Sequence, residues 1–448
     1  MLVTITRVIN WSILFAFIAC FSYQIVYLIA PYIKKEKTHK PLQMHRYAIL
    51  IAARNEENVL GGLLDSIHAQ NYPSELVDIY VVADNCTDTT AEIAYAHGAY
   101  VYERFNRVQI GKGYALKYLL DQISLSDNLE DYDGFFIFDA DNLLDENYIK
   151  EMNMTFNDGY DAVTSYRNSK NFGDNWISHG YGLWFLHEAQ FLNRGRMRIG
   201  NSCMVSGTGY MISRELIEKN DGWNFFLLTE DIEFTADCIA NGVTIGYCER
   251  AEFYDEQPTR LSVSWHQRMR WVKGYFQVYK KYGRQLLSKV GKKGGFSCFD
   301  MLMSNLPAFI LTMIATFAGL TLNHSGTSDR SGFHICPALC RKIHGQYLCC
   351  NAGTWNLYHI NGVETYPYGM VQKNRLYVHI SDLYADLYSH RFHGNVQESR
   401  VETDCARFQS DKSFGSHNRI LIGHNFRQES VPSIKNAAVT TVLPALIR

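Results

Sequence analysis

Asp139 and Asp141 stand where the apolar run Phe135–Phe138 ends, and two carboxylates one residue apart at such a point can hold a hard divalent cation through oxygen. Such a cation bridges a diphosphate and offsets the charge that builds as a leaving group departs. Spacing alone does not single the pair out, because Asp131 and Asp133 repeat it in a loop-like stretch ahead of the run. A capping role ahead of Glu146 is the plainer alternative for Asp139 and Asp141. Thr229-Glu230-Asp231 again places acids directly after an apolar run, Phe225–Leu228, and one of them can take the proton from an attacking hydroxyl. The same three residues also suit an ordinary helix start. Gln267, Arg270 and Trp271 set an amide, a fixed cation and a large ring on neighbouring turns of a helix, residue types suited to phosphates and sugar rings, although an amphipathic surface helix uses them too. Lys112, between Gly111 and Gly113, can reach a phosphate as a point charge, without the spacing of a P-loop.

These residues need elements to hold them. From Tyr47 onward short apolar runs alternate with helical patterns: Ala48–Ala53 then Asn58–Ala69, Asp78–Ala83 then Thr89–His97, Gly113–Gln122, Gly134–Asp139, and Glu146–Phe156. Strands alternating with helices predict an α/β domain with a mostly parallel, doubly wound sheet. Ligands of such sheets bind beyond the carboxyl ends of the strands. Polar residues follow each predicted strand as that rule requires: Arg54-Asn55-Glu56-Glu57, then Asp84-Asn85, then Asp139-Ala140-Asp141.

The chain has 448 residues, 47% of them hydrophobic, enough to bury a core. A net charge of -2 without a basic stripe excludes nucleic acid as an expected partner. The eleven cysteines form no repeated spacing over the first 320 residues, so reduced, cytosolic thiols are expected rather than a disulfide framework. Val8–Ile33 is uncharged and long enough to cross a bilayer, with Trp11, Tyr23, Tyr27 and Tyr32 as interface anchors. Ile18-Ala19-Cys20 faintly suggests a lipoprotein signal, but the apolar run continues well past Cys20, unlike a signal peptide. Only Arg7 precedes the span, whereas Lys34, Lys35, Lys37, Lys40 and Arg46 follow it, which predicts that everything after it is cytoplasmic. Leu306–Leu322 reads as a short second span after a basic, Gly-containing stretch, Lys280–Gly295.

Taken together, the order and spacing of these signals resemble the family-two glycosyltransferases, in particular the membrane-embedded synthase branch that makes chitin, hyaluronan, cellulose and poly-N-acetylglucosamine. The resemblance runs from about Tyr47 to about Gln277. It implies the GT-A fold with flanking transmembrane helices, inverting single displacement, and a divalent metal, Mg2+ or Mn2+. By this resemblance Ala53, Asn55 and Glu56 line the nucleotide pocket, Asp84 contacts uracil and ribose, and Lys112 contacts the diphosphate. Asp139 and Asp141 bind the metal, Asp141 being the first choice as direct ligand. Asp231 is the catalytic base, with Glu230 next in line. Gln267, Arg268 and Arg270 close over the diphosphate, and Trp271 stacks on the acceptor sugar.

The implied organisation is an anchor and basic linker (1–46), a glycosyltransferase domain (47–280), an interfacial linker and transmembrane helix (281–322) and a tail (323–448). The implied reaction transfers a sugar, expected to be N-acetylglucosamine, from a UDP-sugar to a growing β-linked saccharide at the inner or plasma membrane. The bilayer, the donor and a saccharide acceptor are the expected partners. Transfer of one sugar to a lipid phosphate is the alternative, although such transferases ordinarily lack Gln-x-x-Arg-Trp. A truncated relative that binds nucleotide sugar without turnover is another. The pattern departs from the family at Ala83, where an acid usually precedes the nucleotide-binding one, and in showing one span rather than several after the Gln-x-x-Arg-Trp helix.

Beyond about Asn323 the composition changes abruptly. His324–Arg448 holds nine of the sixteen histidines and five of the eleven cysteines without a sustained helical or strand period. Zinc binding by Cys336, Cys340, Cys349 and Cys350 with His334 or His344 is disfavoured, because Cys-x-x-x-Cys with an adjacent pair is a poor tetrahedral pattern. A frame-shifted translation explains the break better. Tyr, His, Asn and Asp codons all end in A followed by a pyrimidine, so one base later they read Ile, Met or Thr, and the segment Tyr377–Arg391 can become an apolar stretch. The tail is therefore expected to be disordered and the protein impaired as a synthase.

Overall fold

A computed structural model describes residues 2–34, 40–126 and 129–324; the tail expected to be frame-shifted lies outside the described residues. The chain opens with helices α1 (Leu2–Phe21) and α2 (Ile25–Ile33), and β1 (Tyr47–Ala53), α3 (Leu60–His68), β2 (Val77–Asp84), α4 (Thr90–Ala96) and β3 (Tyr100–Arg104) follow. Next come α5 (Lys112–Ser126), β4 (Gly134–Asp139), the short β5 (Leu143–Leu144), α6 (Tyr148–Asn157), β6 (Ala162–Ser169) and α7 (Trp176–His187). A six-residue π-helical segment, Glu188–Asn193, leads into α8 (Arg194–Ile199), then β7 (Tyr210–Ser213), α9 (Arg214–Lys219), α10 (Glu230–Ala240) and β8 (Ile245–Asp255). The long α11 (Leu261–Lys289), α12 (Gly295–Met303) and α13 (Leu306–His324) end the described chain.

All eight strands form one sheet in the order β3-β2-β1-β4-β7-β6-β8-β5. The first half, β3-β2-β1-β4, is parallel, as the alternating pattern predicts. The second half is mixed: β7 runs antiparallel to both β4 and β6, β5 runs antiparallel to β8, and only β6 and β8 are parallel, so the sheet as a whole is mostly parallel, as expected. β1 is apolar from end to end because both its faces are covered. Ala48 and Leu50 meet Leu116, Leu119 and Ile123 of α5, whereas Ile49 and Ile51 belong to the opposite core with Leu60, Leu63 and Leu64 of α3. The two-residue period of a strand thus splits one run between two cores.

The stretch expected to be a basic linker after residue 280 is helical. α11 continues to Lys289 and buries Val278, Tyr282 and Leu286 in a core shared with Ile232, Ala236 and Ile239 of α10 and Cys298 and Met301 of α12. Those three recur every fourth residue, one face of a helix, while Lys280, Lys281 and Arg284 crowd the rest and hide the stripe. The first apolar run is also not one continuous helix, since Ser22–Gln24 forms a 3-10 turn between α1 and α2. By length and composition two segments, Trp11–Ile33 and Gly295–Phe317, each of 23 residues, suffice to cross a membrane. The second begins earlier than the expected Leu306 and contains Asp300.

Asp300 is buried and paired. Its carboxylate accepts from Arg196 Nε at 2.7 Å and from the Tyr23 hydroxyl at 2.8 Å, with both ion-pair side chains 1% exposed. The guanidinium also lies over the Tyr27 ring, and Gly195 lets α2 press against α8, where an added Cβ would sit 2.3 Å from the Tyr27 carbonyl oxygen. Asp300→Ala would strand a buried cation at the meeting point of α2, α8 and α12. A destabilisation of about 3–5 kcal/mol is expected, read from denaturation of the detergent-solubilised chain; a change under about 1 kcal/mol would show that the pair does not hold these helices.

Candidate active site

The loops after β1 and β2 interlock. Asn55 (φ 56°) and Asn85 (φ 56°) adopt left-handed backbone, which Asn tolerates better than other non-glycine residues. Asn55 Oδ1 accepts from Thr87 N at 2.8 Å, and Glu56 N donates to Thr90 Oγ1 at 2.9 Å, so the residues expected to line the nucleotide pocket clasp the loop after Asp84. Ala53, at the end of β1, is buried. Asp84 Oδ1 accepts from Arg104 at 2.6 Å, a pair with both side chains below 10% exposure, and also from Asn85 Nδ2 at 3.0 Å. Arg104 was not anticipated; its only sequence signal is its place at the end of β3.

Lys112 begins α5, and its ammonium donates to Asp139 Oδ1 at 2.5 Å and to the Gly207 carbonyl at 2.8 Å, with Glu230 Oε1 4.0 Å away. Gly113 must be a glycine, since a Cβ there would lie 2.0 Å from the Phe225 carbonyl oxygen. That contact joins the α5 start to the segment that carries Glu230 and Asp231. Asp139 N donates to Thr208 Oγ1 at 2.8 Å, and Thr208 donates to Asn142 Oδ1 at 2.6 Å. Asn142 Nδ2 bonds Asp141 at 3.2 Å and Asp255 at 2.9 Å. Asp255, at the end of β8, is in turn held by Arg167 through Nε at 3.0 Å and a second, shorter bond. Neither Asp139 nor Asp141 caps a helix, because α6 starts at Tyr148 with Asn147 before it.

Glu230 and Asp231 form the first turn of α10, as the capping alternative also required. Yet Thr229 makes no side-chain cap bond, and Asp231 Oδ2 reaches across to accept from Gly207 N at 2.7 Å. Lys112 and Asp231 therefore grip the same glycine from its two backbone atoms. Burial raises the Glu230 carboxyl to about 7, opposed by Lys112, and burial likewise lifts Asp231. Asp141 rises to about 8 through burial and then through the neighbouring Asp255 and Asp139 carboxylates.

Among the described residues no three His, Cys, Asp or Glu converge as a metal cluster. The Asp139–Asp141 pair nonetheless has the chemistry of a hard-cation site completed by a ligand: oxygen donors only, with a surplus of crowded negative charge around Asp141 that a cation relieves.

The Gln267–Trp271 stretch lies on α11. Trp271 packs edge-on against Tyr181 of α7 at 5.9 Å, and Arg268 sits over the same ring at 4.9 Å with its Nε 3.3 Å from the hydroxyl. Arg270 is exposed, and Gln267 Oε1 is buried without a hydrogen-bond partner. The structure thus brings Lys112, Asp139, Glu230 and Asp231 together directly, while Gln267, Arg268, Arg270 and Trp271 sit apart from them on α11, the helix that meets the start of α10 at one close approach. The link is Gly274, where a Cβ would come within 2.4 Å of Thr229 Oγ1. Gly274→Ala is expected to shift α11 against Thr229 and lower turnover by about a hundredfold, the typical cost of a displacement near 1 Å. A kinetic assay paired with a melting curve checks this, and unchanged turnover would show that the close approach does not position the acids. Sequence reasoning passed over Gly274, Arg167 and Asp255. Only Asp255 carried the signal used elsewhere, an acid closing a strand.

A family model described as glycosyltransferase like family 2 matches residues 45–274. The β-monoglucosyldiacylglycerol synthase of Synechocystis sp. is 26% identical over 262 residues, 57% of this chain and 53% of that protein. The poly-β-1,6-N-acetyl-D-glucosamine synthase of Staphylococcus epidermidis is 24% identical over 240 residues, 53% of this chain and 56% of that protein. The chain spans about half the length of these relatives. The solved structure of the mannosyltransferase PcManGT from Pyrobaculum calidifontis, in complex with GDP-Man and Mn2+, superposes with a TM-score of 0.57 at 16% identity, covering 77% of this chain and 96% of that one, a likeness of fold.

Proposed function

The chain belongs to the glycosyltransferase-like family 2 and carries the GT-A fold, and from that premise we propose that it transfers a sugar from a UDP-sugar to a hydroxyl of a growing β-linked saccharide, with inversion. The observation that carries this reading is the pairing of Lys112 with Asp139 on one side of Gly207 and of Asp231 with the Gly207 amide on the other. A leaving diphosphate and an attacking hydroxyl need different groups, a cation beside one and a carboxylate beside the other. Asp231 accepts the proton of the acceptor hydroxyl as its oxygen bonds to the anomeric carbon and the bond to the diphosphate breaks. Lys112 faces the diphosphate oxygens. Asp139 and Asp141 would hold Mg2+ or Mn2+, which neutralises charge on the diphosphate when bound. The loop of Asn55, Glu56 and Asp84 receives the nucleoside, and Gln267, Arg268 and Arg270 cover the donor.

Trp271 takes the acceptor ring in this scheme. Trp271→Ala should reduce transfer to saccharide at least tenfold while donor hydrolysis falls little, because an aromatic face serves sugar rings rather than phosphates. Equal loss of both activities would make Trp271 a packing residue for Tyr181.

A glycerolipid acceptor is the second reading. It is favoured by the relatives named as β-monoglucosyldiacylglycerol synthases and by the two segments long and apolar enough to cross a bilayer, which also support a place at the membrane, and the basic residues after the first of them favour a cytoplasmic catalytic domain. Incubating membranes that carry the protein with a panel of radiolabelled UDP-sugars tests both. Labelled, size-laddered saccharide supports the first reading, and a single organic-soluble product supports the second. No incorporation from any UDP-sugar, with no hydrolysis, overturns both.

A further inference from the structure

A cavity of about 560 Å³ opens between the end of β3 with its following loop, the first turns of α5, and the segment Asn224–Phe226. Asp139, Glu230, Asp231 and Lys112 do not line it. Tyr114 and Phe226 on its wall flank the contact of Gly113 with the Phe225 carbonyl, and Lys112 of the catalytic cluster precedes Gly113 in the chain. Its volume is within the range of small-molecule sites, about 300–1,000 Å³.

The walls are aromatic rings interleaved with amides. Tyr114 and Phe226 stack at 4.6 Å with an interplanar angle of 16°, and Phe105 projects from the loop 71% exposed, leaving a ring face open. Asn224 Nδ2 is spent on the Asn220 and Asp221 carbonyls at 2.7 and 3.2 Å, which leaves Asn224 Oδ1 as an acceptor and Gln109 Nε2 as a donor for hydroxyl groups. The charges, by contrast, are largely engaged: Lys117 pairs with Asp121 at 3.0 Å, and Arg104 pairs with Asp84 at 2.6 Å. Among the residues that line the cavity both cations are thus paired, and Glu103 on the wall repels a phosphate or carboxylate.

The loop that carries Phe105 is also held in place. Asn106 Oδ1 accepts from Val108 N and Gln109 N, each at 2.9 Å, Asn106 N donates to Asn85 Oδ1 at 2.9 Å, and Arg104 donates to the Gln109 carbonyl at 2.7 Å. An exposed aromatic ring on a loop fixed by four hydrogen bonds is a preorganised contact, which lowers the ordering cost of binding.

We propose that this cavity is a second saccharide-binding site, for an uncharged hexose or a short oligosaccharide, separate from the acceptor position beside Trp271. Ring faces for the apolar side of a sugar, amide groups for its hydroxyls and no unpaired cation in the lining are the chemistry of that ligand and not of a nucleotide or an anionic headgroup.

The test uses the full chain in lipid nanodiscs, with cellobiose and N,N′-diacetylchitobiose as probes and affinity read by saturation-transfer NMR titration. At least one disaccharide should bind the wild-type protein. Phe105→Ala should weaken that binding roughly tenfold, Phe105→Trp should preserve it, and Trp271→Ala should leave it in place. Donor hydrolysis by Phe105→Ala should match wild type, because Phe105 touches no group of the catalytic cluster. Absence of binding for both probes, binding indifferent to Phe105→Ala, or binding abolished by Trp271→Ala would each overturn the proposal. Because the readout is equilibrium binding, failure of the sugar-transfer reading leaves this result interpretable.

Discussion

Asp231→Asn is expected to lower turnover by about a hundred- to ten-thousand-fold, the usual worth of a general base, while UDP-sugar binding is retained. The substitution is close to isosteric, and the amide oxygen of Asn can still accept from Gly207 N, the bond now made by the carboxylate at 2.7 Å. The Gly207 loop, and with it the carbonyl that receives Lys112, should therefore stay in place, so that the loss reports proton acceptance and not collapse of the site. Burial lifts the Asp231 carboxyl above its ordinary value, which makes it a better base than a solvated aspartate. Glu230→Gln is the internal control. Glu230 lies 4.0 Å from Lys112, on the side assigned to the diphosphate, and should affect donor use before it affects proton transfer. Single-turnover kinetics together with a donor-binding isotherm distinguish the two variants. An Asp231→Asn protein with wild-type turnover would pass the role of base to Glu230.

Excess chelator should reduce turnover by about a thousandfold or more, corresponding to the several kcal/mol that a divalent cation supplies at a departing phosphate. Without one, positive charge near the diphosphate is limited chiefly to Lys112, which already serves Asp139, and to Arg270 on α11. Asp139→Ala and Asp141→Ala should each mimic chelation, and added Mg2+ or Mn2+ should restore the chelated wild type but not the variants. The crowding of Asp141 by Asp255 and Asp139 gives the physical reason, since a cation converts mutual repulsion among buried carboxylates into shared coordination. Full turnover in excess chelator would remove Asp139 and Asp141 from any metal role and leave Lys112 as the counter-charge.

The parallel half of the sheet was legible in the sequence, because β1, β2 and β4 are continuous apolar runs covered on both faces, and such runs keep their meaning whatever lies around them. The positions of Asp84, Asp139 and Asp141 followed from the same rule, since side chains at the carboxyl end of a parallel strand project into the ligand crevice of any doubly wound sheet. Glu230 and Asp231 follow an apolar run as well, Phe225–Leu228, although that run is not a strand. The antiparallel insertion of β7 and the helical continuation of α11 past residue 280 were not legible: one is settled by pairing with β4 and β6, the other by a stripe of Val278, Tyr282 and Leu286 masked by the lysines beside it. What only the tertiary structure decided is how the separate signals meet. Gly113 against Phe225, Gly274 against Thr229 and the two-sided grip on Gly207 bring together residues 24 to 112 positions apart. Such contacts depend on the absence of a side chain and on backbone atoms, which every residue carries alike, so no choice of residue type along the chain announces which partner they will find.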